Sequence, residues 1–157
     1  MTDLARRAVA CPGWRWMPGM LVLVLESESE DDPNFYLTNR FRSGECGRDD
    51  DGPWIGYCGD PDDVWRLRKD GRWDLCCYID GDLDRWSVAG HAVLLPRLTD
   101  PATLGCLLAL VREAWWGADI FGLHYHCDGA WCVEINDRHF YGPTEAAALV
   151  AALEAAP

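Results

Sequence analysis

The chain has 157 residues, nearly half of them apolar, and 26 acidic against 14 basic groups give a formal charge of −12. That length is one domain's worth of chain, long enough to bury a core and too apolar for wholesale disorder. The charge argues against a binder of nucleic-acid backbones, which needs a basic face, and no apolar run approaches the roughly 18 residues of a membrane span.

In chain order, Thr2 caps a predicted helix over Asp3–Ala10, with Leu4, Ala8 and Cys11 on its apolar side. Cys11-Pro12-Gly13 stops it. Trp14–Met20 follows as a compact aromatic loop with glycine near each end. Leu21–Leu25 predicts a buried strand. Glu26–Asp32 carries five carboxylates in seven residues and reads as a solvated loop. Phe35–Arg42 allows another strand, and Gly44–Asp63, rich in Gly, Pro and Asp, reads as irregular. The acidity is local. Residues 26–63 hold a net charge of −9, and the other 119 residues hold −3.

Three Asp-Gly pairs then sit between apolar runs: Asp70-Gly71, Asp80-Gly81 and Asp128-Gly129. Two-residue connections of this kind favour hairpins, because both central residues take positive φ. Asp100-Pro101 predicts a helix start, and Leu104, Leu107, Leu108, Val111 and Trp115 form one apolar stripe along it. A last helix is expected over 143–155, with Ala146, Leu149, Val150 and Leu153 inward. The expected fold is α+β, a mostly antiparallel sheet with β-hairpins packed against two or three helices as a sandwich. The whole chain, 1–157, reads as a single domain.

Two stretches carry a resemblance. Leu4–Cys11 with Trp14–Met20, and Asp100–Trp115 with Gly142–Leu153, resemble the opening and closing halves of small uncharacterised tailed-phage proteins, similar to the phage ABA sandwich domain. The likeness covers about residues 4–20 and 91–155, and leaves 26–88 as an acidic, hairpin-bearing elaboration. It implies a phage genome and the host bacterial cytoplasm. It implies no reaction.

The opening Met1–Arg7 lacks the charged-then-apolar order of a secretory leader, so the eight cysteines are expected as free thiols. A zinc site would be marked by two C-x(2–4)-C knuckles paired with each other, and no such pair is present. His124-x-His126 could hold a metal only with a third ligand such as His91 or His139, and no metal or cofactor is expected. Asp80, Asp82 and Asp84 lack the glycine and glutamate spacing of a calcium loop and read as a solvated turn. No phosphate loop, nucleophile elbow or zinc-protease motif is present, so the protein is not expected to be an enzyme.

The candidate site is a ligand platform of Trp14, Arg15, Trp16 and Met17. Indoles flank a guanidinium, which suits a nucleobase and its phosphate. The same loop also suits a core plug. If the Asp128-Gly129 turn has two residues, His126 pairs with Trp131 and His124 with Val133. His126 and Trp131 then complete the pocket, or a second subunit does. The best-fitting function is a counter-defence sponge that sequesters a nucleotide-derived immune signal. The alternatives are an acidic inhibitor of a host defence protein, mimicking nucleic acid, and a signal-degrading enzyme.

Overall fold

The computed structural model describes residues 2–26, 36–50, 52–57, 60–69, 71–79, 82–86, 92–116, 118, 121–125 and 129–157. The chain divides into two compact units, 1–15 with 98–157, and 16–97. Each has its own antiparallel sheet, and the fold is α+β as expected.

The first unit contains helix α1 (Thr2–Ala10), helix α2 (Pro101–Ala114), strands β8 (Phe121–Tyr125), β9 (Trp131–Ile135) and β10 (Arg138–Gly142), and helix α3 (Glu145–Glu154). The sheet order is β10-β9-β8. Capping explains both long helices. Asp100 Oδ2 accepts from Thr103 N at 3.0 Å, with Pro101 at the first helical position, and Thr144 Oγ1 accepts from Ala147 N at 3.2 Å. The expected inward set of α3, Ala146, Leu149, Val150 and Leu153, is buried. The α2 stripe is rotated from the expected one: Thr103, Leu107, Leu110 and Val111 are buried, while Leu104 and Leu108 are half-buried. Thr103 can turn inward because its hydroxyl donates to Asp100 Oδ2 at 3.0 Å, leaving no unpaired polar group inside. On α1 the buried residues are Ala5, Ala8 and Cys11, with Leu4 half-buried. Arg7 clamps Glu154 at the far end of α3 through two bonds of 2.8 and 2.7 Å.

At the end of β10 the sheet and α3 approach closely. A Cβ on Gly142 would stand 2.5 Å from Ala148 N and 2.7 Å from Ala147 C, so only glycine fits there. The two-residue turn from β9 to β10, Asn136-Asp137, pairs Ile135 with Arg138, and Asn136 adopts φ 53. That turn was not among the expected hairpins.

The second unit holds β1 (Leu21–Glu26), β2 (Tyr36–Asp49), β3 (Gly52–Tyr57), β4 (Asp60–Leu67), β5 (Trp73–Ile79), β6 (Asp82–Trp86) and β7 (Val93–Pro96). They form one seven-stranded sheet in the order β6-β5-β4-β3-β2-β1-β7. The sheet curls: Ala92, just before β7, bridges to Trp73 at the start of β5. Val22, Val24, Phe41, Ile55, Trp65, Trp73, Ala92 and Leu94 are buried together inside the curl.

Gly44–Asp63 corrects an expectation, because most of it is strand. Its glycines seat a tryptophan. Gly47 pairs directly with Trp54, and a Cβ on Gly47 would meet three indole atoms at 2.8, 2.9 and 3.0 Å. Three adjacent ring atoms at nearly equal distance place the indole face on Gly47, where it covers backbone a glycine leaves bare. The acidic stretch 27–35 lies outside the described residues, and so does the expectation that it is solvated.

The Asp-Gly pairs all lie between strands that pair antiparallel, and across Asp80-Gly81 Ile79 pairs with Asp82. At Asp70-Gly71 the last closing pair is Arg68 with Arg72, whose N–H to carbonyl bond is 2.7 Å. The glycine, at φ 85, then ends a three-residue connection. At Asp128-Gly129 the last described pair is Tyr125 with Trp131.

Candidate functional site

The Trp14–Met20 loop is built by specific bonds. Met20 N donates to Met17 O at 3.3 Å across Pro18 and Gly19, and Gly19 has φ 90. Proline then glycine at the centre of a turn, with positive φ on the glycine, is the type II pattern. Ser43, buried on β2, fixes the turn from the side: its hydroxyl donates to Met17 O at 2.7 Å and its N–H to Met20 O at 2.8 Å. Gly19 N donates in return to Ser43 O at 2.9 Å. A loop tied at three backbone positions is a pre-formed surface that pays little ordering entropy on binding.

The four expected platform residues fall in both units. Trp14, half-buried, and Arg15, exposed, belong to the first unit; Trp16 and Met17, both half-buried, belong to the second. Trp16 packs against the core of its unit and meets Trp73 edge-on, with ring centroids 6.3 Å apart at 87°. Arg15 is held by Glu113 near the end of α2, at 2.8 and 2.5 Å. That fork bond holds the Glu113 carboxyl below the usual carboxylate range and raises the Arg15 guanidinium, with burial opposing both shifts.

At the other expected element the register differs by one residue. Tyr125 pairs with Trp131, His124 with Cys132 and Leu123 with Val133. The expected pairing of His124 with Val133 is therefore corrected. Because side chains alternate along a strand, a one-residue shift moves Trp131 and Val133 from the side of His124 to the side of Tyr125 and Leu123. Gly129, shortly before β9, has φ 90, in the left-handed region that suits glycine. Trp131, half-buried, meets Tyr125 at 5.7 Å and 67°, and Tyr125 is 63% exposed. His126 lies outside the described residues.

The same register assembles a group that sequence reasoning missed. His124, Cys132 and Tyr141 form one row across β8, β9 and β10, and Gly122, Glu134 and His139 form the next. Cys132 Sγ lies 3.8 Å from His139 Nδ1, and the His139 and Tyr141 rings stack at 6.3 Å and 17°. The available signal was Asn136-Asp137, a turn dipeptide that brings residues 132 and 139 diagonally together. Among the described residues, no group of three or more His, Cys, Asp or Glu side chains is arranged to hold a metal ion. Cys11, Cys46, Cys106 and Cys132 are free thiols. No described helix is long and apolar enough to cross a membrane.

No protein-family model, curated protein or solved structure matches the chain.

Proposed function

We propose that the protein is a phage-encoded, non-enzymatic binding protein that acts in the host bacterial cytoplasm and sequesters a nucleotide-derived signalling molecule. The observation that carries this reading is the Tyr125–Trp131 ring pair at the end of β8 and the start of β9, with most of Tyr125 exposed. An exposed aromatic beside a left-handed glycine offers a π-face to a base and an approachable backbone to its sugar. Arg15 supports the phosphate end. Half of its side chain is exposed while it holds Glu113, so a phosphate can compete for the fork without uncovering a buried charge. Trp14, which precedes that guanidinium in sequence and lies in the same unit, remains the second stacking candidate.

Calorimetry of cyclic dinucleotides and ADP-ribose derivatives tests the reading. Trp131→Ala is expected to weaken binding by roughly 1–3 kcal/mol, the value of one stacked aromatic. Arg15→Gln is expected to weaken phosphate-bearing ligands more than their nucleosides. Circular dichroism checks that both variants keep the native fold. Absence of binding by the wild type to every member of the panel would overturn the proposal.

A further inference from the structure

We propose that Cys132 is a nucleophilic thiol served by His139, and that the face of β8–β10 bearing it is a covalent-modification site for small, soft carbon electrophiles. The opposite face of the sheet is the packed one: Val133 and Ile135 are buried there, Phe140 meets Trp115 at 5.7 Å, and Arg112 lies over Phe121. The Cys132 face instead keeps His124, His139 and Tyr141 exposed, with Glu134 half-buried. Chemically reactive side chains occupy five of the six positions in its two rows. The sixth is Gly122, where a Cβ would stand 3.8 Å from both Glu134 Oε2 and His124 Nδ1. The missing side chain leaves an opening between carboxylate and imidazole.

The geometry supports one reaction. With Sγ 3.8 Å from Nδ1, a small ring rotation brings thiol and imidazole into hydrogen-bond contact. The thiol proton passes to His139 Nδ1. The sulfur lone pair attacks the methylene of an α-halocarbonyl such as iodoacetamide, the C–S bond forms, the C–I bond breaks, and iodide leaves with the bonding pair. The imidazolium then returns the proton to water. Glu134, directly opposite His139 in the ladder, acts as a positioning residue for its ring. Cys132 itself has no exposed surface, so a reagent reaches it only when the exposed Tyr141 ring, directly opposite it in the ladder, swings aside while His139 stays in place. That gate restricts the site to small electrophiles.

Iodoacetamide labelling of the intact protein at neutral pH, read by peptide mass mapping, decides the matter. Cys11 and Cys106 are internal references, because burial first, then Glu154 for Cys11 and Asp100 for Cys106, pushes their thiols up. A base in contact with the sulfur takes its proton as the C–S bond forms, so Cys132 is expected to label about tenfold faster than Cys11, which is also buried. His139→Gln should bring Cys132 down to the reference rate and leave the rates of Cys11 and Cys106 unchanged. Glu134→Gln should slow it by a smaller factor. Labelling of wild-type Cys132 no faster than Cys11 overturns the proposal, and so does an unchanged rate in a natively folded His139→Gln variant. The wild-type comparison decides even if that variant does not fold.

Discussion

The two units solve the same problem by opposite means. In the first, the elements are specified locally: Asp100 and Thr144 cap their helices, and a run of Leu, Ala and Val supplies a stripe. In the second, most strands gain meaning only from their neighbours. Gly47 is a poor strand residue alone, yet it is suited to a position facing Trp54. Local signals survive in one sequence read in isolation, whereas cross-strand complementarity does not, because the partner lies at a distance the sequence does not state.

That contrast can be broken by substitution. The largest expected effect is in the locally specified unit, where Leu149, fully buried on α3, has no room to be replaced. Leu149→Ala should cost about 2–5 kcal/mol, read from the urea midpoint. Ile55→Val removes one methyl from the fully buried strand position of the other unit and should cost about 0.5–1.5 kcal/mol. If Ile55→Val proves as costly as Leu149→Ala, the pairing-dependent unit is the more tightly packed of the two.

The glycines sharpen the comparison further. Gly142→Ala meets backbone of α3 at 2.5 Å and should cost about 1–3 kcal/mol by forcing helix and strand apart. Gly47→Ala meets only the indole of Trp54, a side chain that can turn. Its cost should be smaller and should largely vanish in a Trp54→Ala background, which a double-mutant cycle on thermal unfolding measures. Equal costs for the two glycines would show that Trp54 is as immovable as backbone.

The cap gives a smaller effect. Asp100→Ala should cost about 0.5–2 kcal/mol, because two groups of Thr103 lose their acceptor.

The smallest effect is electrostatic. Arg7 holds the Glu154 carboxyl below its ordinary value of 4.5, chiefly through the side-chain hydrogen bond. A carboxylate lowered in the folded state adds stability above its unfolded pKa and loses it as pH falls through the folded one. Stability should therefore decline on the acid side of that ordinary value, and Glu154→Gln should flatten the slope there. Glu113, lowered by Arg15, acts in the same direction.

Legibility followed the same division. Both long helices, the buried β1 and the α+β class were readable, since caps and apolar periodicity are short-range. The α2 face was misjudged because Leu and Val occupy two overlapping stripes, and a carboxylate three residues away decides that Thr103 turns inward. The β8–β9 register was missed by one residue because Asp-Gly serves both two-residue and longer connections. That single step separates a histidine–tryptophan face from the observed histidine–cysteine–tyrosine row. Arg15 read as a phosphate contact, and nothing in the sequence joins it to Glu113, 98 positions away. The Cys132–His139 pair stayed hidden because the search for turns favoured glycine over Asn136-Asp137.

The way the large sheet finishes its two sides bears on whether copies of this chain stick together. A bare strand edge is a template for recruiting another chain, and aggregation begins there. The last strand on one side, β7, is only four residues long, ends in Pro96, and begins beside an Ala92 already engaged with Trp73. The last strand on the other side, β6, has the sequence Asp-Leu-Asp-Arg-Trp, three charges in five residues. A proline-ended stub and a strand rich in charged residues deter recruitment by different means, so the two ends of the seven-stranded sheet are poor templates for a stranger's strand.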